Sequence, residues 1–210
     1  IESIRVKDGK LRYQVNKNKL KKIIGLKILK ISRRSKFLLF LFEKDIIMLV
    51  HLGMTGKFFF INKKKIKYKT SFYYNLDEEK DKKYNRVIFT LSDRQKLIYN
   101  DVRKFGFIKI INKLELWKNF HLKNLGPEPL NRNFNFKYFK KYLLKKKRTI
   151  KDILMDQRFV SGLGNIYANE ILFICKIKPT RKTYSLKDKD IKNIILQTKK
   201  MLKRAIYFGG

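Results

Sequence analysis

Cysteine is nearly absent from this chain. A single one, Cys175, stands among 210 residues, which excludes an intramolecular disulfide and any multi-cysteine zinc site within them. It follows the apolar run Ile171 to Ile174 and reads as a small core residue. Long apolar runs are absent too. Phe37 to Phe42 and Ile46 to Val50 are separated by Glu43, Lys44 and Asp45, so neither is long enough to span a bilayer. No signal peptide is visible, and an intracellular location is expected. Proline is scarce: of three, two fall in Gly126-Pro127-Glu128-Pro129-Leu130. Acidic residues are few. Against 53 Lys+Arg there are 17 Asp+Glu, a formal net charge of +36. Such an excess calls for a polyanionic partner, either nucleic acid or an anionic membrane. The basic residues are interleaved with hairpin signals rather than set on one amphipathic helix, which disfavours the membrane. The abundance of Lys, Ile, Asn, Phe and Tyr is also what AT-rich coding produces, so charge alone does not decide the partner.

What is present falls into two halves. Apolar residues make up 44% of the chain, enough for a substantial core. Residues 1–111 read as many short strands. Asp8-Gly9 signals a hairpin between Ile4–Val6 and Leu11–Val15. A third strand is expected over Ile23–Ser32, a hairpin over Phe37–Phe42 and Ile46–Leu52, and a continuation at Lys57–Ile61. Residues 62–84 read as charged loop with a short strand at Ser71–Asn75. Arg86–Leu91 and Lys96–Tyr99 flank Ser92-Asp93 as a further hairpin, and Phe107–Ile111 closes the series. This rhythm predicts an antiparallel sandwich or barrel. Helical spacing takes over at Leu114–Leu125, Phe136–Leu144, Asp152–Phe173 and Leu186–Tyr207. The predicted organisation is α+β: a β-sandwich domain over 1–125, a Gly-Pro hinge over 126–134, and a helical domain over 135–210.

Five stretches can carry function. In DQRFVSGLGNIYANEILF, Gly162 and Gly164 permit a sharp turn before a helix that starts at Asn165, with Ile166, Ala168, Ile171 and Leu172 at helical spacing. A helix start after a glycine turn offers unpaired N–H groups to an anion, phosphate above all. An ordinary helix hairpin would show the same spacing. HLGMTG reads as a turn that pushes Met54 outward, where an unbranched apolar side chain suits insertion into a base stack; a buried methionine in a plain hairpin is the alternative. In NDVRKFG, Arg103 and Phe105 lie two apart and would share a side on an extended backbone, able to fill the hole left by a flipped base. The alternative is an exposed Arg beside a core Phe. RRSKF and Lys145-Lys146-Lys147-Arg148 place cations where they could neutralise phosphates or merely face solvent.

RRSKF, HLGMTGKF, NDVRKFG, LGPEPL and DQRFVSGLGNIYANEILF occur in the order and approximate spacing of the formamidopyrimidine-DNA glycosylases, and the resemblance runs through essentially the whole chain. It implies a β-sandwich joined by a hinge to a helix–two-turn–helix domain, with double-stranded DNA between them. It also implies removal of oxidised purines such as 8-oxoguanine and formamidopyrimidines, followed by β- and δ-elimination. Carried over by position, Lys36 resembles the phosphate-binding lysine implicated in β-elimination, the one catalytic assignment made here. Met54, Arg103 and Phe105 resemble the trio that fills the gap after base eversion. His51, Lys146, Asn165 and Tyr167 resemble DNA-backbone contacts. Tyr84 stands where many relatives carry a DNA-touching histidine, and no contact is assigned to it.

The departures matter as well. The family's nucleophile is an N-terminal proline followed by glutamate; this chain opens on Ile1, and Glu2 lies in a strand-like stretch. The family's four-cysteine zinc finger has no counterpart here. The chain therefore reads as an internal segment of a longer protein, unable to excise a base by itself. No cofactor is expected within these residues, with a structural zinc expected beyond them. The expected setting is the bacterial cytoplasm, acting on nucleoid DNA as a monomer. A sister enzyme of the endonuclease VIII type, acting on oxidised pyrimidines, and a non-catalytic helix–two-turn–helix nucleic-acid-binding protein are the competing readings. HLGMTG together with VRKFG favours the purine branch.

Overall fold

Alternating apolar residues and tight two-residue turns build the first half into two antiparallel sheets. The structure is a computed structural model that describes residues 1–62, the backbone of 67–69, and 82–209. Its strands are β1 (Ser3–Val6), β2 (Ile28–Arg34), β3 (Phe37–Phe42), β4 (Ile46–His51), β5 (Lys57–Ile61), β6 (Lys67–Lys69), β7 (Asn85–Thr90), β8 (Lys96–Asn100) and β9 (Phe107–Asn112). One sheet runs β1-β7-β8-β5-β6 and the other β2-β3-β4-β9. The register sets which side chains meet: Phe40 pairs with Met48 and Met48 with Ile110, while Val50 pairs with Ile108. These residues face Phe58, Val87, Phe89 and Tyr99 of the second sheet in one core. Phe40 and Phe58 touch edge to face across it, with centroids 5.5 Å apart.

The hairpins follow from local backbone chemistry. Lys44 and Asp45 both take positive φ between β3 and β4, as do Asp93 and Arg94 between β7 and β8. Two successive left-handed residues match the twist of the flanking strands. Two expectations for this half are corrected. The Asp8-Gly9 turn does not join two paired strands: β1 pairs with β7, and Leu11–Val15 folds back on Gly9, whose carbonyl accepts the N–H groups of Leu11 and Val15. Nor is Ile23–Ser32 one strand. The Asn16 side chain caps a short helix α1 (Lys17–Lys21) by accepting the Lys19 N–H, Leu20 within it and Ile23 in the turn after it are buried, and the strand begins only at Ile28. Lys57–Ile61 forms a strand as expected, but it joins the sheet opposite the β3–β4 hairpin. The loop and strand expected over 63–66 and 70–81 lie outside the described residues.

The chain divides into two compact units, Ile1–Asn119 and Phe120–Gly210. The helix expected over Leu114–Leu125 is only a 3-10 segment, Lys113–Lys118, with Leu116 buried and Trp117 62% exposed. In the second unit lie α2 (Phe136–Leu143), α3 (Ile150–Met155), α4 (Asn165–Ile174) and α5 (Asp188–Tyr207). Asn135 and Thr149 cap α2 and α3 through their side-chain oxygens, each satisfying an N–H that the helix cannot. Phe134, Phe139, Phe159, Leu163, Ile171, Leu172 and Ile194 bury completely in a core of their own. Of the residues expected to face inward on α4, Ala168, Ile171 and Leu172 do so, whereas Ile166 is 69% exposed. The Gly126–Leu130 stretch, expected as a hinge, is tied to this unit: Gly126 N–H donates to the Gln157 carbonyl and Ser161 N–H to that of Pro127. Burial pushes the Cys175 thiol up to about 11, so at neutral pH it is a protonated packing group.

Candidate nucleic-acid interface

Two connections that cross between the sheets carry the candidate site. Residues 52–56 lead from β4 in one sheet to β5 in the other, and residues 101–106 lead from β8 back to β9. Met54 at the tip of the first is 65% exposed, and Phe105 in the second 46%. The Arg103 guanidinium joins them: it lies 4.5 Å from the centroid of the Phe105 ring and Nη1 donates to Met54 Sδ at 3.3 Å. The three side chains thus form one exposed cluster. Its origin differs from the extended-backbone expectation. Residues 102–106 form no strand, and Lys104 between the two takes φ +60. That left-handed turn costs a non-glycine residue about 1–2 kcal/mol. The Lys104 amine meets Asp8 Oδ2 at 2.8 Å, an ion pair that holds the turn.

Beside the cluster lies an open groove of about 690 Å³ lined by Arg12, Lys36, His51 and Gly53 together with Met54, Arg103, Lys104 and Phe105. Its ionisable lining is basic throughout. Arg12 arrives because its N–H donates to the Gly106 carbonyl at 3.1 Å. Gly106 has no room for a side chain: a Cβ there would strike the Tyr99 hydroxyl and the His51 carbonyl. Lys36 follows Ser35, whose positive φ ends β2. Although Lys36 counts as exposed by area, partial burial of its amine lowers its pKa below the usual lysine value, because a desolvated ammonium loses hydration. A phosphate in the groove would restore that lost stabilisation.

His51 ends β4 between two aromatic rings, Phe37 at 5.1 Å and Phe107 stacked at 5.7 Å. Its Nδ1 accepts the Gly53 N–H at 3.0 Å, which leaves the ring proton on Nε2 in the neutral form. Burial first, then the Lys36 and Arg12 charges, lower its pKa below the usual value. A base whose pKa is lower folded than unfolded stabilises the fold fully above its unfolded pKa of about 6.5 and loses that contribution as pH falls through the folded value. The melting temperature should therefore fall between pH 7 and pH 5, and His51→Gln should flatten that part of the curve. A His51→Gln protein with the same slope over that interval would disprove it. The Asp8, Asp152 and Asp156 carboxyls, all held below the usual 3.8, titrate under that window.

In the second unit, the turn before α4 is built by one side chain. The Gln157 carboxamide accepts the Gly162 N–H at 2.8 Å and donates to the Leu163 carbonyl at 2.7 Å, while Gly162 takes φ +100. Helix α4 then starts with no side-chain cap at Gly164, and an uncapped helix start is where an anion can bind. Asn165 is exposed there, and Tyr167 is half-buried against the core. Lys146 is exposed after α2, its backbone anchored by the Thr183 hydroxyl, which donates to the Lys146 carbonyl.

Residues 1–108 match the formamidopyrimidine-DNA glycosylase N-terminal domain and residues 125–210 the formamidopyrimidine-DNA glycosylase H2TH domain. This chain belongs to the formamidopyrimidine-DNA glycosylase family. The formamidopyrimidine-DNA glycosylase of Rickettsia bellii (strain OSU 85-389) is 38% identical over 210 residues, all of this chain and 71% of that protein. The Lactococcus lactis enzyme, solved non-covalently bound to DNA containing an AP site, is 32% identical with a TM-score of 0.84, covering 100% of this chain and 75% of the other. The same enzyme bound to N7-benzyl-Fapy-dG DNA superposes equally well, at a TM-score of 0.84 over 72% of its length.

Against that family background, the structure adds residues that the sequence motifs did not single out. Asp101 is completely buried. Its Oδ1 accepts the Thr55 hydroxyl at 2.6 Å, and its Oδ2 accepts the Gly106 N–H at 2.9 Å and the Tyr99 hydroxyl at 3.2 Å. Burial and the adjacent carboxylate raise the Tyr99 pKa, which keeps its phenol a donor. Arg86, 7% exposed, donates from Nε to the Asp101 carbonyl at 2.8 Å and from Nη1 to Asp8 at 2.9 Å. Tyr84, left without a role, accepts the Asp101 N–H on its carbonyl. The available signal was a carboxylate directly after a buried strand: a charge there needs partners.

Among the described residues no three His, Cys, Asp or Glu side chains come together. No helix among them is long and apolar enough to cross a membrane.

Proposed function

We propose that this chain is the damage-recognition core of a base-excision repair enzyme, a DNA-formamidopyrimidine glycosylase with AP lyase activity. The single observation that supports it most is the exposed Met54–Arg103–Phe105 cluster on a groove whose ionisable lining is basic throughout. Lys36 and Arg12 neutralise phosphates, and His51 donates from Nε2. Lys146, Asn165 and Tyr167 hold the backbone from the second unit. When the damaged nucleotide leaves the stack, Met54 and Phe105 fill the void and Arg103 addresses the orphaned base. This offsets part of an unstacking cost of a few kcal/mol.

The chemistry follows the family: a secondary amine attacks the sugar C1′ as the base departs, and the resulting iminium acidifies the C2′ proton so that the 3′ and then the 5′ phosphate are eliminated. No residue of this chain is assigned as that amine. Lys36, whose amine is partly desolvated, acts on the phosphate that leaves. The preferred lesions are 8-oxoguanine and formamidopyrimidines. We place the enzyme in the bacterial cytoplasm, on nucleoid DNA, as a monomer, with its structural zinc held outside these 210 residues.

The test is binding of the chain to a duplex carrying a tetrahydrofuran abasic analogue against the intact duplex, over a salt series. Preference for the abasic duplex by about tenfold or more, with affinity falling as salt rises, is expected. Equal affinity for both would reduce the chain to a general nucleic-acid binder.

A further inference from the structure

We propose that Thr55 and Asp101 are positioning residues, a buried latch that holds the two plug loops in register; the inference rests on the plug reading above. The two loops belong to different crossings, and their bonded residues are 46 apart in sequence. A hydroxyl joins them. Thr55 Oγ1 donates to Asp101 Oδ1 at 2.6 Å and accepts the Arg103 N–H at 3.0 Å. The residue after Met54 therefore grips the backbone of Arg103 directly.

The second carboxylate oxygen closes the other loop on itself through the Gly106 N–H at 2.9 Å. Arg86 fixes the carbonyls of Asp101 at 2.8 Å and Val102 at 3.4 Å. Asp8 draws Lys104 aside at 2.8 Å. From 101 to 106 the backbone is thus pinned on both sides of Arg103 and Phe105, whose side chains are exposed. A loop ordered before binding loses less conformational entropy when it enters the duplex. Asp101 is buried and is not itself a lining residue of the groove, so its effect on DNA passes through the loops.

Thr55→Val keeps the shape and removes the hydroxyl, leaving the Asp101 carboxylate and the Arg103 N–H each short of one partner. Thr55→Ser restores it. We expect Thr55→Val to reduce the preference for abasic over intact duplex about tenfold, and Thr55→Ser to stay within about twofold of the parent. With 2-aminopurine opposite the abasic site, the fluorescence change at saturating protein should shrink in Thr55→Val and persist in Thr55→Ser. A role in stability alone would lower the melting temperature and leave that saturated signal intact. Asp101→Asn provides the same readouts should Thr55→Val fail to fold. An unchanged preference with an unchanged saturated signal overturns the latch. Met54→Ala run in parallel separates the two failures. If it also changes nothing, the plug reading has failed; if it abolishes preference while Thr55→Val does not, only the latch has.

Discussion

Replacing Arg103 with alanine should cost this chain about 5- to 150-fold in affinity for duplex containing an abasic site, the equivalent of about 1–3 kcal/mol for a lost guanidinium–base contact. The structure explains why the loss should be disproportionate for one exposed side chain. Arg103 touches both other members of the cluster, Phe105 through its ring at 4.5 Å and Met54 through sulfur at 3.3 Å. Its removal takes away the base-reading group and the common partner of two apolar ones. Arg103→Lys separates charge from shape: an ammonium keeps phosphate attraction but lacks the planar fork, so it should recover only the salt-dependent part of the loss. A double-mutant cycle with Phe105→Ala should show coupling of about 0.5–1 kcal/mol, the range of an exposed cation–π pair. Fluorescence anisotropy with matched abasic and intact duplexes measures all of this. An Arg103→Ala chain that binds abasic DNA like the parent would remove the plug from the mechanism.

Much of this interface could be read from the chain because it is coded locally. A helix start after Gly162-Leu163-Gly164 and an exposed methionine between two glycines depend on neighbours a few residues away, and the structure places Asn165 and Met54 accordingly. The strands of β3, β4, β7, β8 and β9 were visible for the same reason: each is an apolar run ended by a turn. What escaped depends on contacts distant in sequence. Asp8-Gly9 looks like a hairpin by every local rule, yet β1 finds its partner in β7, and Asp8 is used by Arg86 and Lys104. Ile23 reads as strand because β-branched, but it falls in the turn after α1, a helix that the Asn16 cap and the burial of Leu20 set just before it. Arg103 and Phe105 do share a side, through the left-handed Lys104 and its ion pair rather than through an extended backbone. Arg12 enters the groove through a single backbone bond to Gly106, which no spacing along the chain announces.

Phe159→Ala should be the most destabilising single change in the second unit, by about 3–5 kcal/mol. Phe159 is completely buried. Phe139 meets it edge on at 4.8 Å and Phe134 at 5.9 Å, while the Tyr142 and Tyr138 rings lie 4.7 and 5.8 Å away. Truncation therefore removes one member of four aromatic contacts as well as the buried area, and rigid neighbours on α2 and just before it cannot all collapse into the gap. Set against a typical domain stability of about 5–15 kcal/mol, this should lower the melting temperature of the unit by roughly 15–30 °C. The consequence reaches the DNA-binding surface. The Phe159 carbonyl accepts the Tyr138 hydroxyl at 2.7 Å, and two residues later Ser161 N–H bonds to Pro127. The backbone then enters the Gly162 turn that presents Asn165. Loosening this cluster should weaken duplex binding before any residue of α4 is changed. Phe159→Leu, which refills much of the space, should recover most of the melting temperature and of the DNA affinity. Calorimetry of the whole chain with near-ultraviolet circular dichroism reads the first effect, and duplex binding below the transition reads the second. A Phe159→Ala chain that melts within about 3 °C of the parent would mean that this aromatic cluster does not hold the helix–two-turn–helix unit together.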